Sequence, residues 1–275
     1  MNINCKGKLI DLSTPKVMGI LNVTPDSFFD GGKYNNEIAI LNQVETMLSH
    51  GATFIDIGGY SSRPNANDVS ETEELNRVIP IIELILKNFP ETLISIDTFR
   101  SHVAKKSIEA GAALINDISA GKLDNNMLTT VGKLAVPYIM MHMRGTPKTM
   151  QQHTQYNDLT KEIISYFADR IAEAHKAKIN DLIIDPGFGF AKTTEQNFVL
   201  LNTLELLQLI DQPILAGVSR KSMIYKTLNS TSENALNGTT ALHMVALQKG
   251  AKILRVHDVK EASECITLYN QLQSN

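Results

Sequence analysis

The chain has 275 residues, of which 43% are hydrophobic and 20% charged, and its formal net charge is -3. This is ordinary globular composition, and the slightly acidic balance argues against a nucleic-acid-binding or polybasic membrane-binding surface. The N-terminal segment lacks the apolar run of a secretory signal, and the densest apolar stretch, residues 78–89, is interrupted by proline and charged residues. The two cysteines form no CxxC pair. We therefore expect a cytoplasmic protein that binds no nucleic acid and crosses no membrane.

Apolar runs and helical patterns alternate along the chain. Residues 3–10 alternate around Lys6-Gly7, which predicts a short hairpin. Short apolar runs then predict strands at residues 17–21, 54–57, 93–96, 113–115, 137–141, 182–184, 213–216 and 253–256. Apolar residues at helical spacing predict helices near residues 38–51, 71–88, 101–110, 125–134, 158–177, 195–210, 235–249 and 259–272.

The alternation of strands with helices indicates a parallel sheet, because parallel neighbours need a crossover connection. Eight such units in a chain of this length are typical of a closed barrel, which takes roughly 250 residues. The Gly-rich fingerprint of a dinucleotide-binding open sheet does not follow the first strand. The sequence therefore predicts one domain over residues 1–275, an α/β fold built as a single (β/α)8 TIM barrel with a short N-terminal β-hairpin.

Polar or charged residues follow every predicted strand, at the end of the barrel where the active sites of this fold lie. A single Asp in such a position is more often a helix cap than a ligand. A polar group after all eight strands is much harder to explain by capping, and it indicates a site. In strand order these residues are Asn22; Ser62 and Arg63; Asp97; Asn116; His142 and Arg144; Asp185; Lys221 and Ser222; and Arg255 and His257.

One group of these residues is rich in cations and hydrogen-bond donors, which suit a phosphate or diphosphate. It consists of Asn22, Arg63, Arg255 and His257, with Ser219 nearby. The Asn22 amide oxygen is also a candidate ligand for Mg2+, an ion that usually keeps several waters and bonds substrate phosphates.

A second group carries carboxylates, an amide and an amine, and it suits the edge of a flat heterocycle with N–H donors. It consists of Asp97, Asn116, Asp185 and Lys221. Met140 and Phe190 are candidates for apolar walls on the two faces of such a ring. Plain core packing is an equally good interpretation of each.

Eight segments together carry a resemblance to a known family. They are GILNVTPDSFFDGG (19–32), FIDIGGYSSRP (54–64), ISIDTFR (94–100), LINDISAG (114–121), MHMRGTPKTMQ (141–151), LIIDPGFGFAKT (182–193), GVSRKS (217–222) and RVHDV (255–259). Each segment alone is a modest signal, whereas all of them in order, each at a predicted strand, are highly specific. With these segments the chain resembles the dihydropteroate synthase family, the pterin-binding barrels of folate synthesis.

The resemblance implies a reaction in which 6-hydroxymethyl-7,8-dihydropterin diphosphate and p-aminobenzoate give 7,8-dihydropteroate and diphosphate, with Mg2+ as cofactor. It implies pterin contacts from Asp97, Asn116, Asp185, Lys221, Met140 and Phe190, and diphosphate contacts from Ser62, Arg63, Arg255 and His257. It implies p-aminobenzoate contacts from Phe28, Ser62, Arg63, Pro64, Lys221 and Ser222, and catalytic roles for Asn22, Lys221, Arg255 and His257. It also implies a homodimer and sensitivity to sulfonamides, which mimic p-aminobenzoate.

The second loop departs from the family's usual Gly-Glu-Ser-Thr-Arg-Pro-Gly. This chain reads Gly-Tyr-Ser-Ser-Arg-Pro-Asn over residues 59–65. Tyr60 replaces a carboxylate, Ser62 lacks a methyl group, and Asn65 is less free than glycine to adopt left-handed conformations. Sulfonamide sensitivity and the closed geometry of this loop depend on these positions.

Two other functions fit parts of the pattern. A methyltransferase of the same barrel superfamily, acting between methyltetrahydrofolate and a corrinoid, shares the pterin contacts but has no use for a diphosphate group. A non-catalytic pterin-binding protein is expected to have lost some of the diphosphate or lysine positions. Here Asn22, Lys221, Arg255 and His257 all remain. The pattern therefore favours the synthase.

Overall fold

Ten strands organise the part of the chain that the structure, a computed structural model, describes: residues 1–23, 32–60 and 68–273. They are β1 (Asn2–Cys5), β2 (Lys8–Asp11), β3 (Lys16–Asn22), β4 (Ala52–Gly58), β5 (Leu93–Asp97), β6 (Leu114–Asp117), β7 (Tyr138–Met141), β8 (Leu182–Asp185), β9 (Ile214–Ala216) and β10 (Ala251–Val256). β1 and β2 pair antiparallel as the predicted hairpin. The others are parallel and close into a barrel in the order β10-β3-β4-β5-β6-β7-β8-β9, which confirms the predicted fold class.

Helices connect the parallel strands. In the same ranges they are α1 (Gly32–Ser49), α2 (Glu71–Asn88), α3 (Ser101–Glu109), α4 (Met127–Leu134), α5 (Leu159–Lys176), α6 (Thr194–Asn202), α7 (Ser222–Thr227), α8 (Leu236–Gln248) and α9 (Val259–Gln273), with 3-10 turns at Met150–Gln152 and Leu204–Ile210. The spacing of apolar residues did not predict the short helix α7, although Ser222 was expected at a helix start. None of the helices described is both long and apolar enough to cross a membrane.

Threonine side chains explain both ends of α6, which is shorter than the predicted helix over residues 195–210. Thr193 and Gln196 form a reciprocal capping box at its start. At its end Thr203 Oγ1 donates to Val199 O at 2.9 Å and lies 2.8 Å from Thr160 Oγ1 on α5. Because such a side-chain bond competes with the helix ladder, the chain continues as a 3-10 turn after this point.

Side chains along each barrel strand alternate between two cores. Outward-facing residues such as Ile55, Ile115 and Ile184 belong to the larger core, between the barrel and the helices. Inward-facing residues at the amino-terminal end of the barrel form a separate apolar cluster, which we name the floor. The floor contains Met18, Phe54, Leu93, Leu114, Ile139, Ile183, Leu215 and Ile253, together with Ile3, Cys5, Ile10 and Leu12 from the hairpin segment.

The hairpin closes the floor. Ile3 is 1% exposed, and Cys5 and Leu12 are fully buried against the barrel strands. Burial raises the pKa of the Cys5 thiol to about 12, which agrees with the expectation of an inert cysteine. Apolar packing therefore fills this end of the barrel, and chemistry is left to the other end.

Candidate active site

At the next inward-facing position after a floor residue, four barrel strands carry a polar side chain. On β4, β6, β8 and β10 a floor residue is followed two positions later by, respectively, Asp56, Asn116, Asp185 and Arg255. Asp97 ends β5 four residues after the floor residue Leu93, and the strand register pairs it with Asn116 on β6. Two strand residues span roughly 7 Å, so these groups form a second layer directly above the floor. We name this layer, with Lys221, the mouth.

Arg255 joins two carboxylates of the mouth. Its Nε donates to Asp56 Oδ2 at 2.6 Å, and its Nη2 donates to Asp97 Oδ2 at 2.7 Å. Asn116 Nδ2 also donates to Asp56 Oδ2, at 3.1 Å. The Asp56 side chain is fully buried and that of Arg255 is 21% exposed. Because the guanidinium is a rigid planar fork, two such contacts fix the direction of its remaining N–H groups.

Asp97 has an unusual proton affinity. Burial raises the pKa of Asp97 to about 7, and the neighbouring charge of Arg255 opposes that rise while Asp56 adds to it. Asp97 pairs in register with Asn116 on the next strand. The Asp97 carboxylate and the Asn116 amide are therefore neighbours in a partly desolvated space.

Lys221 lies at the start of α7, and its amine reaches the mouth. Its Nζ donates to Phe188 O and lies 5.2 Å from the centre of the Phe190 ring. Burial lowers the pKa of Lys221 to about 8, and the charge of Asp185 opposes that change. Burial raises the pKa of Asp185, with Lys221 as the strongest opposing charge. A Cβ at Gly217 would lie 3.8 Å from Lys221 Nζ and 4.0 Å from Asp185 Oδ2, so glycine leaves room at this pair.

Met140 lies outside the mouth, which corrects the expectation that it forms an apolar wall there. It pairs in register with Ile184 and is fully buried in the core between barrel and helices. The inward position on β7 belongs to Met141, which clusters with Ile118 beside the half-buried Phe190. A run of apolar residues does not reveal which of two adjacent methionines faces inward, because a buried strand is apolar on both faces.

His257 and Asn22 follow or end two adjacent barrel strands, β10 and β3. His257 is exposed; its Nδ1 lies 3.1 Å from Ser219 Oγ, and its backbone N–H donates to the same oxygen at 3.2 Å. Asn22 pairs in register with Gly58, which pairs on its other side with Asp97. A Cβ at Gly58 would lie 3.5 Å from Asp97 Cβ, so this glycine keeps space free between Asn22 and Asp97.

His142 and Arg144, which follow β7, are held by other partners. Arg144 pairs with Glu162 on α5, and its guanidinium carbon lies 3.8 Å from the centre of the Tyr156 ring. His142 is 1% exposed, and its Nδ1 lies 3.0 Å from Lys192 Nζ. The structure therefore gives both residues contacts that shape the surrounding loops.

Further predicted residues follow β3 and β4 in the sequence. Phe28, Ser62, Arg63 and Pro64 lie outside the described residues. Tyr60 packs edge-on against Phe99, with ring centres 5.2 Å apart, and its hydroxyl lies 3.4 Å from Asp68 Oδ1. These contacts account for the aromatic residue in place of the family's carboxylate. Ser222 is the first residue of α7, next to Lys221.

Two charged residues of this region, Asp56 and Lys192, are not among the residues predicted from the sequence. Asp56 is fully buried and binds both Asn116 and Arg255. The available signal was a carboxylate inside the apolar run FIDIG, since an ionisable residue is rarely buried without a partner. Lys192 is 3% exposed, in the loop after β8, and no local pattern distinguishes it from an ordinary loop lysine.

Asn22 is the residue expected to bind Mg2+, and its surroundings can be compared with what that ion requires. The described residues contain no group of three or more His, Cys, Asp or Glu side chains able to hold a metal ion. Asn22 offers one neutral oxygen beside the space left by Gly58. Mg2+ is commonly bound by one or two protein groups together with water and substrate phosphates. These residues therefore fit a Mg2+ ion that arrives with a diphosphate.

Known proteins are similar to this chain in sequence and architecture. Residues 18–257 match the family model described as pterin binding enzyme. The dihydropteroate synthase of Haemophilus influenzae is 44% identical over 271 residues, which cover 98% of each chain. The chain belongs to the dihydropteroate synthase family.

Two solved members of the dihydropteroate synthase family superpose on the whole chain. The Yersinia pestis enzyme in a sulfonamide drug complex is 44% identical, with a TM-score of 0.93 and 100% of both chains covered. The Xanthomonas albilineans enzyme in complex with 7,8-dihydropteroate is 36% identical, with a TM-score of 0.89 and the same coverage. Family membership thus agrees with a mouth that combines hydrogen-bond acceptors and two cations.

Proposed function

We propose that this chain is a dihydropteroate synthase, which joins 6-hydroxymethyl-7,8-dihydropterin diphosphate to p-aminobenzoate and releases diphosphate. One observation carries the proposal: Asp97, Asn116 and Asp185 share an enclosed layer with two cations. A flat heterocycle with several N–H groups satisfies these oxygen acceptors. The diphosphate on the methylene carbon of this heterocycle then lies next to the two cations, Lys221 and Arg255.

The two titratable carboxylates bind the pterin edge. Burial raises the pKa of Asp97 and of Asp185, which means that it destabilises their ionised forms. N–H groups donated by a neutral ring stabilise each carboxylate in turn. The Phe190 ring, beside Lys221, forms one face of the pterin slot. Met141 supplies inward apolar surface in the place first expected for Met140.

The diphosphate is bound by Arg255 and His257, with Ser62 and Arg63 from the second loop. Arg255 is already oriented by two carboxylates, so it stabilises departing negative charge with little reorganisation. When bound, Mg2+ neutralises further charge on the diphosphate, and Asn22 is the residue proposed to hold it.

The reaction is a dissociative displacement. The bond between the methylene carbon and the diphosphate oxygen breaks first, and its electron pair leaves with the oxygen. The electron-rich pterin stabilises the resulting cation; the weakly nucleophilic aryl amine then forms the C–N bond and loses a proton. The protein contributes positioning and electrostatic stabilisation, and no nucleophilic side chain is needed. A secondary deuterium isotope effect close to unity on bond cleavage at the methylene carbon would contradict this order of events.

The p-aminobenzoate site forms between the loops and α7. Phe28, Ser62, Arg63 and Pro64 contribute from the loops, and Lys221 and Ser222 contribute from the start of α7. Sulfonamides, which resemble the amine substrate, are expected to compete for this site, as the sulfonamide complex of the Yersinia pestis relative supports.

The assembly is a cytoplasmic homodimer. Exposed apolar side chains on neighbouring elements support self-association: Val199 on α6, Leu209 in the following 3-10 turn and Leu228 just after α7, which are 51%, 79% and 54% exposed. Cys5 and Cys265 are free thiols, consistent with a reducing compartment. Sedimentation velocity would distinguish a dimer from a monomer.

The test of the proposed function is diphosphate release from the purified chain. Dihydropterin diphosphate is supplied with and without Mg2+ and with and without p-aminobenzoate, for the native chain and for Lys221→Ala and Arg255→Ala. Leu9→Ser, at a 68%-exposed position of the hairpin, is the control and should match the native chain. Release coupled to dihydropteroate, and lost in both site variants, is the expected result.

The other outcomes identify the alternatives. Pterin binding without product formation supports the non-catalytic pterin-binding protein. Methyl transfer from methyltetrahydrofolate to a corrinoid, with no diphosphate release, supports the methyltransferase. Either result would overturn the synthase proposal.

A further inference from the structure

Lys192 is a buried lysine whose hydrogen-bond partners among the described residues are two carbonyl oxygens and a histidine ring. Its side chain lies in the loop between β8 and α6, and the residue is 3% exposed. Its Nζ contacts Gly187 O at 2.9 Å, Phe190 O at 3.0 Å and His142 Nδ1 at 3.0 Å. A buried charged amine is costly unless its hydrogen bonds are satisfied, and these three contacts match the three N–H groups of an ammonium.

The loop that Lys192 binds has little other regular structure. Gly187 and Gly189 adopt left-handed conformations, with φ of 70° and 83°. A Cβ at Gly187 would lie 2.2 Å from His142 O, so the loop passes directly against the end of β7. Lys192 bonds both ends of the turn from Gly187 to Phe190 and the His142 ring at once. Asp185 and Asn197 fasten the same turn by accepting from the Gly187 and Gly189 N–H groups at 2.8 and 2.7 Å, and Lys192 is the side chain that ties it to His142 after β7.

The same loop holds the amine of Lys221. Lys221 Nζ donates to Phe188 O, and it lies 5.2 Å from the centre of the Phe190 ring. Phe188 lies between the two carbonyls that Lys192 binds, those of Gly187 and Phe190. A shift of the loop thus moves both the acceptor and the aromatic face that place Lys221.

We propose that Lys192, seated on His142, is a positioning residue that acts through Lys221. Its amine fixes loop 186–193 on the barrel, so that the Phe188 carbonyl and the Phe190 ring hold the Lys221 amine in the mouth. The inference rests on the proposed function, because it assigns Lys192 a role in placing a substrate-binding group. It does not place Lys192 in contact with substrate.

The arrangement survives a change of protonation. Burial lowers the pKa of His142 to about 2, so its ring is neutral. Burial also lowers the pKa of Lys192, and the charge of Asp185 opposes that change. A protonated Lys192 donates to all three partners; a neutral amine donates to the two carbonyls and accepts from the ring N–H. The loop keeps the same three contacts in both states.

A double-mutant cycle tests the inference. Lys192→Met removes the donors and keeps the side-chain length; Lys221→Met removes the amine that is to be positioned. We expect Lys192→Met to lower kcat/KM for dihydropterin diphosphate by about 100-fold, the effect of misplacing a group by about 1 Å. In the Lys221→Met background the same change should lower it by less than about threefold, because the two residues act as one unit. Equal losses in both backgrounds would overturn the inference and leave Lys192 a purely structural residue.

The same cycle is run on the calorimetric affinity for dihydropterin diphosphate. If no dihydropteroate forms, the proposed function fails, and the binding cycle still shows whether Lys192 and Lys221 are coupled. Uncoupled binding losses overturn the inference by themselves.

Variants of His142 guard against loss of folding. His142→Asn keeps an acceptor near the Nδ1 position and should retain most of the activity, whereas His142→Leu should behave like Lys192→Met. Val131→Ala, at a fully buried position of α4, serves as the stability control. It should lower the melting temperature without altering the coupling. A His142→Leu chain that melts normally and keeps full activity would contradict the proposal.

Discussion

The floor and the mouth are adjacent layers of one barrel, and on β4, β6, β8 and β10 they are separated by two residues of the strand. On β4 that step leads from Phe54 to Asp56, and on β8 from Ile183 to Asp185. The floor is apolar and is covered by the hairpin; the mouth is lined by charged and amide groups. These four strands therefore carry a core residue at one inward position and a residue of the candidate site at the next.

The two layers differ in what their side chains contribute to folding. Each fully buried apolar side chain of the floor contributes about 1.5–3 kcal/mol. A buried ion pair such as that of Arg255 with Asp56 is close to neutral for stability, because desolvation offsets most of the attraction. Substitutions in the floor should therefore reduce stability, and substitutions in the mouth should reduce activity. Removal of only one partner of the Arg255–Asp56 pair should also reduce stability, because it leaves a buried charge uncompensated.

The largest expected effect is that of Lys221→Ala. Removal of the amine takes a cation from the site of charge separation and should lower kcat/KM by about 1000-fold. The melting temperature should change little, because Lys221 contributes no apolar core. Lys226→Ala, an exposed lysine on the same helix, is the matched control and should leave kcat/KM unchanged. A Lys221→Ala chain with native kcat/KM would remove the mouth from the proposed reaction.

Phe54→Ala should show the opposite behaviour in the floor. The cavity left by a fully buried ring should lower the free energy of unfolding by about 3–5 kcal/mol. Below its melting temperature, the variant should keep the kcat/KM of the native chain. Urea unfolding and steady-state kinetics on the same preparation measure both quantities. A large fall in kcat/KM with native stability would show that the layers are not separable.

The activity of the mouth should depend on pH as a narrow bell. Asp97, whose pKa burial raises to about 7, gains a proton below that pH and no longer accepts as a carboxylate. Lys221, whose pKa burial lowers to about 8, loses its proton above that pH. The profile of kcat/KM reports the free enzyme, so its limbs should lie near these values. Asp97→Asn should remove the acidic limb, and an unchanged limb would assign it elsewhere.

The same raised pKa makes a prediction for stability. Between the ordinary value of 3.8 and about 7, folded Asp97 binds more protons than unfolded Asp97. The contribution of Asp97 to stability should therefore fall as pH rises through this window. Asp97→Asn should flatten the pH dependence of the unfolding free energy there, while Asp211→Asn on the surface serves as the control.

The smallest effects should come from the adjacent methionines of β7. Met140→Leu is a volume-conserving change in the outer core and should alter the unfolding free energy by less than about 1.5 kcal/mol. It should leave the KM for dihydropterin diphosphate unchanged, whereas Met141→Leu should raise that KM at similar stability. The reverse result would restore Met140 as the wall of the pterin slot.

Strand ends were the part of the site that the sequence could predict. Asp97, Asn116 and Asp185 each interrupt an apolar run at its carboxyl end, and a parallel barrel brings such ends together. The register that pairs Asp97 with Asn116 follows from that architecture. Local pattern and overall fold agree at these positions.

Long-range contacts were the part that it could not predict. The sequence predicts that Arg255 binds diphosphate. In the structure Arg255 also binds Asp56, which is 199 residues away along the chain. The contact of Lys192 with His142 spans 50 residues and joins two loops. Neither pair has a local signature, because the partners meet only when the barrel closes.

Because apolar packing fills the floor, the interior of the barrel is reached from the opposite end. Substrates reach the interior through the mouth, and products leave the same way. Most of the groups proposed to hold the pterin lie on the barrel strands, directly above the floor. We therefore expect dihydropterin diphosphate to bind before p-aminobenzoate, and the pterin to leave only as part of dihydropteroate.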